Sequence, residues 1–371
     1  MQLALTLSWA AKGTTSPNPT VGAVLVKDSQ VIATGVTAPY GGFHAERRAL
    51  DSLPLSQTTN ATLYVTLEPC SHHGKTPPCT DIILEKKVGR VVVALLDPNP
   101  LVAGKGVSLL RAAGVQVDVG TLEEKARAIN QDFFTWIIEK RPFITLKYAM
   151  TLDGKMASDS GDSKWITSER SRRLAHLLRY RSDAILVGAN TVLHDNPHLN
   201  VRLPHREKTL LRVILDPEGK TLSGFHVMND LQPTLFCVKS PVNQKFKSLV
   251  NVHHKDIWED SSPGPLIHLP SLLDFLYKKN IQSLFVEGGS SVLGGFLAEN
   301  LGDRLFGFQG NQILGSGLSP FAGFSRKTVK EAVLLDDIHY KNLKDNLLFY
   351  GNLRWNRQSM GKDSINEEKS S

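Results

Sequence analysis

The chain has 371 residues, 41% of them hydrophobic, which is long enough for two domains with separate cores. Its net charge of +7 comes from 43 basic and 36 acidic residues. The basic residues are spread along the chain and lack the interleaved aromatic residues of a nucleic-acid platform. No apolar run reaches the roughly 20 residues of a membrane span, and three cysteines are too few for a disulfide scaffold. We therefore expect a cytoplasmic protein that has no membrane or nucleic-acid partner.

The first 141 residues alternate predicted strands and helices. Because continuous apolar strands need both faces covered, this order favours a three-layer α/β/α domain over residues 1–141. The last pattern, TLEEKARAINQDFFTWIIEK, is typical of one long helix that stops before Pro142, since proline cannot continue a helix. Strands are predicted at VGAVLVKDSQVIATG, ATLYVTLEPC and VGRVVVALLDP, and helices at MQLALTLSWAAKG, HAERRALDSL and CTDIILEKKV.

The alternation starts again after Arg141 and favours a second α/β domain over residues 142–355. Residues 240–265 carry many polar residues and prolines, which is typical of a surface excursion. Residues 356–371 have almost nothing to bury, so we predict a disordered tail there. Strands are predicted at FITLKYAM, AILVGANTV, LRVILD, TLFCVK and IQSLFVEGG, and helices at TSERSRRLAHLLRYRSD and SLLDFLYKKN.

A histidine, a glutamate and two cysteines of the first domain occur in the order of a hydrolytic zinc site. His44 and Glu46 lie at the start of a predicted helix, and Cys70 and Cys79 follow in EPCSHHGKTPPC. Imidazole and thiolate are the ligands that zinc prefers, and a catalytic site keeps a fourth position for water. A carboxylate that is not a ligand can take a proton from that water and pass it to a leaving amine. We therefore predict the histidine and both cysteines as zinc ligands and Glu46 as the proton carrier, as in zinc-dependent nucleobase deaminases.

Eight residues, SHHGKTPP, separate the two cysteines, whereas nucleobase deaminases usually have two residues there. Three segments are typical of one protein family: this insert, SPNPTVGAVLV near the start and DPNPLVAGKG further on. Through them, the sequence resembles the RibD family, the bifunctional deaminase-reductases of riboflavin biosynthesis. The resemblance extends from Met1 to about Trp355. It implies that the first domain has a cytidine-deaminase-like fold.

The insert and the segment SPNPT supply candidates for substrate binding. His72, His73 and Lys75 could form a cationic mouth for a phosphorylated substrate, or a polar loop that packs on itself. Asn18 could hydrogen-bond a pyrimidine ring, or only form a turn between prolines. The third cysteine, Cys237, lies in a predicted strand and is expected in the core.

The second domain has a glycine-rich turn, VEGGSSVLGGFL, between a predicted strand and a predicted helix. Gly288 and Gly289 let a backbone approach a phosphate at the first turn of that helix, although the turn lacks the G-x-G-x-x-G fingerprint. The resemblance to the RibD family implies a fold similar to dihydrofolate reductase, with NADPH as cofactor. Four segments occur in the order of that family's reductase half: LKYAMTLDGKMA, GDSKWIT, DAILVGANTVLHDNPHLNVR and VEGG.

The same resemblance implies the residues of the second site. Lys147 and Asp195 are our candidates for handling protons during hydride transfer, with a structural ion pair as the alternative. Asn196 and Asn200 depart from the family, which commonly has an acid and a hydroxyl residue at these positions. The resemblance implies NADPH contacts from Ala149, Trp165, Thr191, Asp195 and Gly289, and substrate contacts from Ser163, Arg179, Leu199, Arg202 and Glu287.

The two sites and the resemblance together predict two activities in one chain. We expect zinc-dependent removal of the ring amine from 2,5-diamino-6-(5-phosphoribosylamino)pyrimidin-4-one, followed by NADPH-dependent reduction of its ribosyl group to ribityl, in the order implied by the family. We also expect a homo-oligomer. Three alternatives stay open: a cytidine or guanine deaminase with an accessory domain, a nucleic-acid-editing protein, and a purely structural zinc site closed by His72 or His73.

Overall fold

The computed structural model describes residues 1–99 and 102–355. The internal contacts of the chain group it into two compact units. The first comprises Met1–Phe143 with two later segments, Arg181–Asp183 and Pro270–Ser283, and the second comprises the other described residues. Both units are built from helices and strands, which confirms the α/β class predicted for each half.

Two statements on the organisation of the chain, its domain boundary near Arg141 and its disordered tail, stay predictions. The disorder predicted for residues 356–371 lies outside the described residues. Within the described residues, no helix is both long and apolar enough to cross a membrane.

The first unit contains a five-stranded sheet in the order β2-β1-β3-β4-β5. Strand β1 is antiparallel to β2 and β3, whereas β3, β4 and β5 run parallel. Parallel strands of this kind place binding sites outside their carboxyl ends. The strands are β1 Gly22–Lys27, β2 Gln30–Val36, β3 Thr62–Val65, β4 Arg90–Val93 and β5 Gln116–Val119. The helices are α1 Gln2–Ala11, α2 Ala45–Leu50, α3 Leu55–Thr58, α4 Cys79–Glu85, α5 Lys105–Ala112, α6 Glu123–Ile129 and α7 Gln131–Glu139.

The core of this unit lies between the sheet and its helices. Leu63, Val65, Val91 and Val93 are fully buried on the central strands. They pack with apolar side chains from the flanking helices, including the fully buried Ile83 of α4. Burial of a side chain of this size contributes about 1.5–3 kcal/mol. Apolar packing therefore fixes the strand ends from which the candidate site is built.

The long helix predicted before residue 141 is interrupted at Asn130. Helix α6 ends at Ile129 and α7 starts at Gln131. The buried side chain of Asn130 accepts a hydrogen bond from the N–H of Thr20 and donates one to the Thr20 carbonyl, both at 2.9 Å. The prediction of one helix was wrong, because this pairing with a residue 110 positions away leaves no mark on the helical pattern.

After residue 141 the chain forms a nine-stranded sheet in the order β10-β9-β8-β7-β11-β6-β12-β14-β13. Strands β10, β9, β8, β7 and β11 pair parallel in this order, and β6 pairs parallel with β12. Strand β14 pairs antiparallel with both β12 and β13. The strands are β6 Phe143–Met150, β7 Ala184–Gly188, β8 Leu211–Leu215, β9 Thr234–Lys239, β10 Asp256–Asp260, β11 Ser283–Val286, β12 Arg304–Gln309, β13 Leu334–Asn342 and β14 Leu347–Arg354. The helices are α8 Glu169–Tyr180, α9 Ala189–Asp195, α10 His226–Asn229, α11 Gln244–Val252, α12 Leu269–Lys278 and α13 Ser290–Ala298, with a 3-10 turn at Val329–Glu331.

The segment over residues 240–265 is mostly exposed, as a surface excursion predicts, but it contains a helix and a strand that were not predicted. Helix α11 buries Phe246 and Val250. Its start is capped by Asn243, whose side chain accepts the N–H of Lys245 at 2.9 Å. Strand β10 follows and pairs parallel with β9 at the sheet edge. The polar residues of these two elements are mostly exposed, whereas Asp260 of β10 is buried. The prediction that Cys237 lies in the core is confirmed, since it is fully buried in β9.

Candidate active sites

The side chains of His44, Cys70 and Cys79 meet in the first unit. Their ligand atoms lie within 4.8 Å of one another. The sulfur of Cys70 is 3.5 Å from the Nδ1 atom of His44, and the sulfur of Cys79 is 3.3 Å from the same atom. A tetrahedral zinc ion with Zn–S near 2.3 Å and Zn–N near 2.0 Å would place sulfur and nitrogen about 3.5 Å apart. The donor types and their spacing therefore fit zinc.

Two of these ligands lie at the starts of helices. His44 is the residue before α2, and Cys79 is the first residue of α4. A Cβ atom at Gly35 of strand β2 would lie 2.0 Å from the Ala45 carbonyl oxygen, so glycine lets α2 rest directly on the sheet. Pro78 precedes Cys79 and fixes the entry into α4. The carbonyl of Cys70 accepts the N–H of Thr80 at 3.2 Å, which joins the two cysteine segments.

Glu46 lies beside the ligands, in the first turn of α2, and is only 3% exposed. Burial raises the pKa of its carboxyl group to about 7, and the charge of the Cys70 sulfur acts in the same direction, whereas His44 opposes it. The pKa of the Cys70 thiol is lowered, first by its hydrogen bond with Cys79 and also by that with His44. A bound divalent cation deprotonates coordinating thiols outright. The cluster thus combines a ligand set with a shielded carboxylate that is suited to proton transfer.

The other residues predicted for this site lie on exposed or turn segments. His72, His73 and Lys75 are exposed, and the Lys75 ammonium lies 3.9 Å from the centre of the Tyr40 ring. Asn18 is half-buried, and its backbone exchanges hydrogen bonds with Thr15, as the turn alternative expects. In the described part of the chain, the metal-ligand group holds three residues and includes neither histidine of the insert. The arrangement therefore favours an open site over a closed structural one.

A second cluster of charges surrounds Glu287, after strand β11. One carboxylate oxygen lies 2.9 Å from the Lys147 ammonium, and the other lies 2.7 Å from a terminal nitrogen of Arg179. All three side chains are 13–15% exposed. Burial alone would raise the pKa of Glu287, but Arg179 and Lys147 outweigh it and lower the pKa to about 2. Lys147 therefore pairs with Glu287, and Asp195 is exposed at the end of α9.

The segment from Leu199 to Arg202 is hydrogen-bonded to helix α8 beside this cluster. Arg179 donates a hydrogen bond to the carbonyl of Asn200 at 3.1 Å, and the N–H of Arg202 donates to Nδ1 of His176 at 3.2 Å. Burial lowers the pKa of His176 to about 4, with the charges of Arg179 and Arg202 acting in the same direction, so the imidazole is neutral at pH 7. Our prediction missed His176. His176 lies three residues before Arg179, so the two side chains share one face of helix α8. This spacing was the signal in the sequence that could have predicted its role.

The residues expected at NADPH are distributed over several elements. Gly289 is the residue before α13, and a Cβ there would lie 3.6 Å from the Thr191 hydroxyl of α9, so these two residues are neighbours. Ala149 is half-buried in β6. Trp165 is 70% exposed, with the Arg172 guanidinium 4.4 Å from its ring centre. Ser163 is half-buried.

The cluster around Glu287 makes an acid-stability prediction. A carboxylate whose pKa is about 2 in the folded protein and 4.5 ordinarily contributes stability that is complete above pH 4.5 and is lost as the pH falls towards 2. The shift corresponds to about 3 kcal/mol. We expect the free energy of unfolding, measured by denaturant titration at pH 5 and pH 3, to fall more steeply in the unchanged protein than in Glu287→Gln. An equal fall in both proteins would contradict this role of the carboxylate.

Two family models match the chain. The cytidine and deoxycytidylate deaminase zinc-binding region matches residues 1–95, which include the His/Cys/Cys cluster. The RibD C-terminal domain matches residues 142–349, which include the cluster around Glu287. The fold and the two sites define a zinc-dependent deaminase joined to a reductase that uses NADPH.

Full-length relatives identify the family. The riboflavin biosynthesis protein RibD of Aquifex aeolicus (strain VF5) is 45% identical over 350 residues, which cover 94% of this chain and 96% of that protein. A deaminase/reductase structure from Thermotoga maritima has a TM-score of 0.83 at 38% identity and covers 95% of this chain and 97% of that one. Acinetobacter baumannii RibD, form 1, has a TM-score of 0.85 at 33% identity, with coverages of 95% and 98%. The chain belongs to the RibD family of bifunctional riboflavin biosynthesis enzymes.

Proposed function

We propose that this chain catalyses two consecutive steps of riboflavin biosynthesis. Its deaminase half hydrolyses the ring amine of 2,5-diamino-6-(5-phosphoribosylamino)pyrimidin-4-one and releases ammonia. Its reductase half then uses NADPH to give 5-amino-6-(5-phosphoribitylamino)uracil. The Thermotoga maritima structure is named for these two activities, as a diaminohydroxyphosphoribosylaminopyrimidine deaminase and a 5-amino-6-(5-phosphoribosylamino)uracil reductase. The observation that carries the proposal is the meeting of three zinc-type ligands beside a buried glutamate, in a chain whose second half matches the RibD C-terminal domain.

In the deaminase half we assign the zinc ligands to His44, Cys70 and Cys79. When bound, zinc supplies an acidified water as the nucleophile. Glu46, which is buried beside these ligands, would take a proton from that water and deliver it to the nitrogen of the leaving amine. The exposed His72 and Lys75 of the insert offer positive charge to the substrate phosphate, and Asn18 is assigned to the pyrimidine ring.

In the reductase half the charged groups around Glu287 hold the substrate. Arg179 and Arg202 suit the ribose phosphate, since guanidinium groups bind phosphate through paired hydrogen bonds. Glu287 can accept hydrogen bonds from sugar hydroxyls through lone pairs that its two ion pairs leave free. Lys147 is the candidate to supply a proton to the sugar oxygen during hydride transfer. Ser163 and Leu199 complete the substrate residues, and Ala149, Trp165, Thr191, Asp195 and Gly289 are assigned to NADPH.

We also propose that the protein is a cytoplasmic homo-oligomer whose domain boundary in the chain lies near Arg141. None of the three cysteines of the chain, all of them in the described residues, forms a disulfide, which supports a reducing compartment. Among the described strands, β13 is the edge of its sheet and exposes Leu334, Ile338 and Tyr340. Exposed apolar edges of this kind pair with another chain. Sedimentation equilibrium should give a mass above the 40.9 kDa of one chain.

The test of the two-step function is product analysis with the diaminopyrimidine phosphate. Without NADPH, we expect ammonia release that stops at the ribosyl compound, and with NADPH we expect the ribityl compound to form as the cofactor is oxidised. Cytidine and guanine are the control substrates, because a simple nucleobase deaminase would act on one of them. Ammonia release from either of these, without NADPH oxidation by the deaminated phosphoribosyl compound, would contradict the proposal.

A further inference from the structure

A buried carboxylate lies two residues before Cys70. Glu68 is 4% exposed and follows strand β3. Its Oε2 atom accepts hydrogen bonds from the backbone N–H groups of Asp97 at 3.2 Å and Gly104 at 2.9 Å. Its Oε1 atom accepts the N–H of Val107 at 3.1 Å. Hydrogen bonds to a charged acceptor are stronger than neutral ones, so one side chain fastens Asp97 and the start of helix α5 to the segment that carries Cys70.

The same two segments touch at Gly106, in the first turn of α5. A Cβ atom at this position would lie 2.0 Å from the carbonyl oxygen of Pro69, a distance that no side chain can adopt. The helix backbone therefore lies directly on the peptide that precedes Cys70. The N–H of Glu68 also donates to the carbonyl of Leu95 at 2.9 Å, which joins the segment after β4. We call the contacts of Glu68 and Gly106 the clasp.

The clasp places Asp97 beside the segment that carries Cys70. Asp97 is half-buried, and its carboxylate accepts the N–H of Asn99 at 2.8 Å, so the two residues form one tight turn. The N–H of Asp97 itself donates to Glu68 Oε2 at 3.2 Å, and Glu68 lies two residues before Cys70. The turn held by Glu68 therefore lies beside the segment that carries the ligand Cys70.

We propose that Glu68 is a positioning residue of the deaminase, which holds the turn of Asp97 and Asn99 at the mouth of the zinc site so that substrate binds productively. This inference rests on the deaminase function proposed above. Glu68 is not one of the three residues of the metal-ligand group found within residues 1–99 and 102–355. Both carboxylate oxygens must accept hydrogen bonds, and glutamine cannot replace glutamate here because its NH₂ group would face a backbone N–H donor.

The test uses the full chain loaded with zinc and carrying Glu68→Gln. We expect kcat/KM for ammonia release to fall by about 100-fold, because displacement of substrate-facing groups by about 1 Å has effects of this size. KM should rise more than kcat falls, since the ligands and Glu46 stay in place. Zinc should remain at about one per chain. NADPH oxidation with the deaminated compound should be unchanged, as should the thiolate-to-metal absorption bands of the Co²⁺-substituted protein.

Two further variants make the test specific. Gly106→Ala keeps Glu68 but pushes α5 away from Pro69, so it should give the same loss of ammonia release. Glu124→Gln is the matched control, because Glu124 is exposed in the same unit, and it should leave both activities unchanged.

Three outcomes would overturn or redirect the inference. Normal kcat/KM in Glu68→Gln would show that the clasp does not position substrate. Loss of zinc or of reductase activity together with ammonia release would show a general folding role in place of positioning. Absence of ammonia release in the unchanged protein would instead contradict the proposed function, and so the two failures can be told apart.

Discussion

The variant Glu46→Gln is expected to retain zinc and to release ammonia about 10²–10⁴-fold more slowly than the unchanged protein. Glutamine has the same size as glutamate and fits the buried position in α2, but its amide cannot carry a proton from water to the leaving amine. The proposed ligands His44, Cys70 and Cys79 are untouched by the change. Ammonia release, zinc content and NADPH oxidation, measured on one preparation, check this expectation.

The reductase half serves as an internal control for that variant. A folding defect would lower both activities, whereas loss of the proton carrier lowers ammonia release alone. Glu124→Gln, which changes an exposed glutamate of the same unit, should behave as the unchanged protein does. If Glu46→Gln deaminates at the normal rate while it keeps its zinc, the role assigned to Glu46 is wrong.

The variant Arg179→Met is expected to lower kcat/KM of the reductase by about 30-fold or more, since truncating one partner of a buried charge pair costs about 2–5 kcal/mol. The change removes the 2.7 Å ion pair with Glu287 and the hydrogen bond to the Asn200 carbonyl. Glu287 keeps Lys147 alone, and the segment from Leu199 to Arg202 loses a tie to helix α8. NADPH oxidation with the deaminated compound is the measurement.

Arg173→Met is the matched control for this second variant. Arg173 lies on the same helix and is exposed, so its replacement should leave the reductase rate unchanged. Ammonia release should be normal in both variants. If Arg179→Met oxidises NADPH at the normal rate, the ion pair with Glu287 is structural and the assignment of Arg179 to substrate is wrong.

Local sequence patterns predicted most strands and several helices because each of these elements is specified by its own residues. The alternation of buried strands with helices was enough to predict an α/β class for both halves. Local patterns were misleading where a distant partner decides the structure. Asn130 breaks a helix through its pairing with Thr20, and residues 240–265 form a helix and an edge strand because the sheet and its core accept them.

The sequence by itself determined the chemistry of the first site, since zinc chemistry depends on ligand type, and His44, Glu46, Cys70 and Cys79 are recognised by type and order. Glu68 lies in the segment EPC, but its residue type alone did not distinguish its role from that of any other glutamate. Only the tertiary structure brought its carboxylate to three backbone N–H groups from a later stretch of chain. Likewise, Lys147 and Arg179 became partners of one carboxylate, Glu287, through folding alone. Residues more than 100 positions apart meet only where sheet order and packing place them, and that information is not local in sequence.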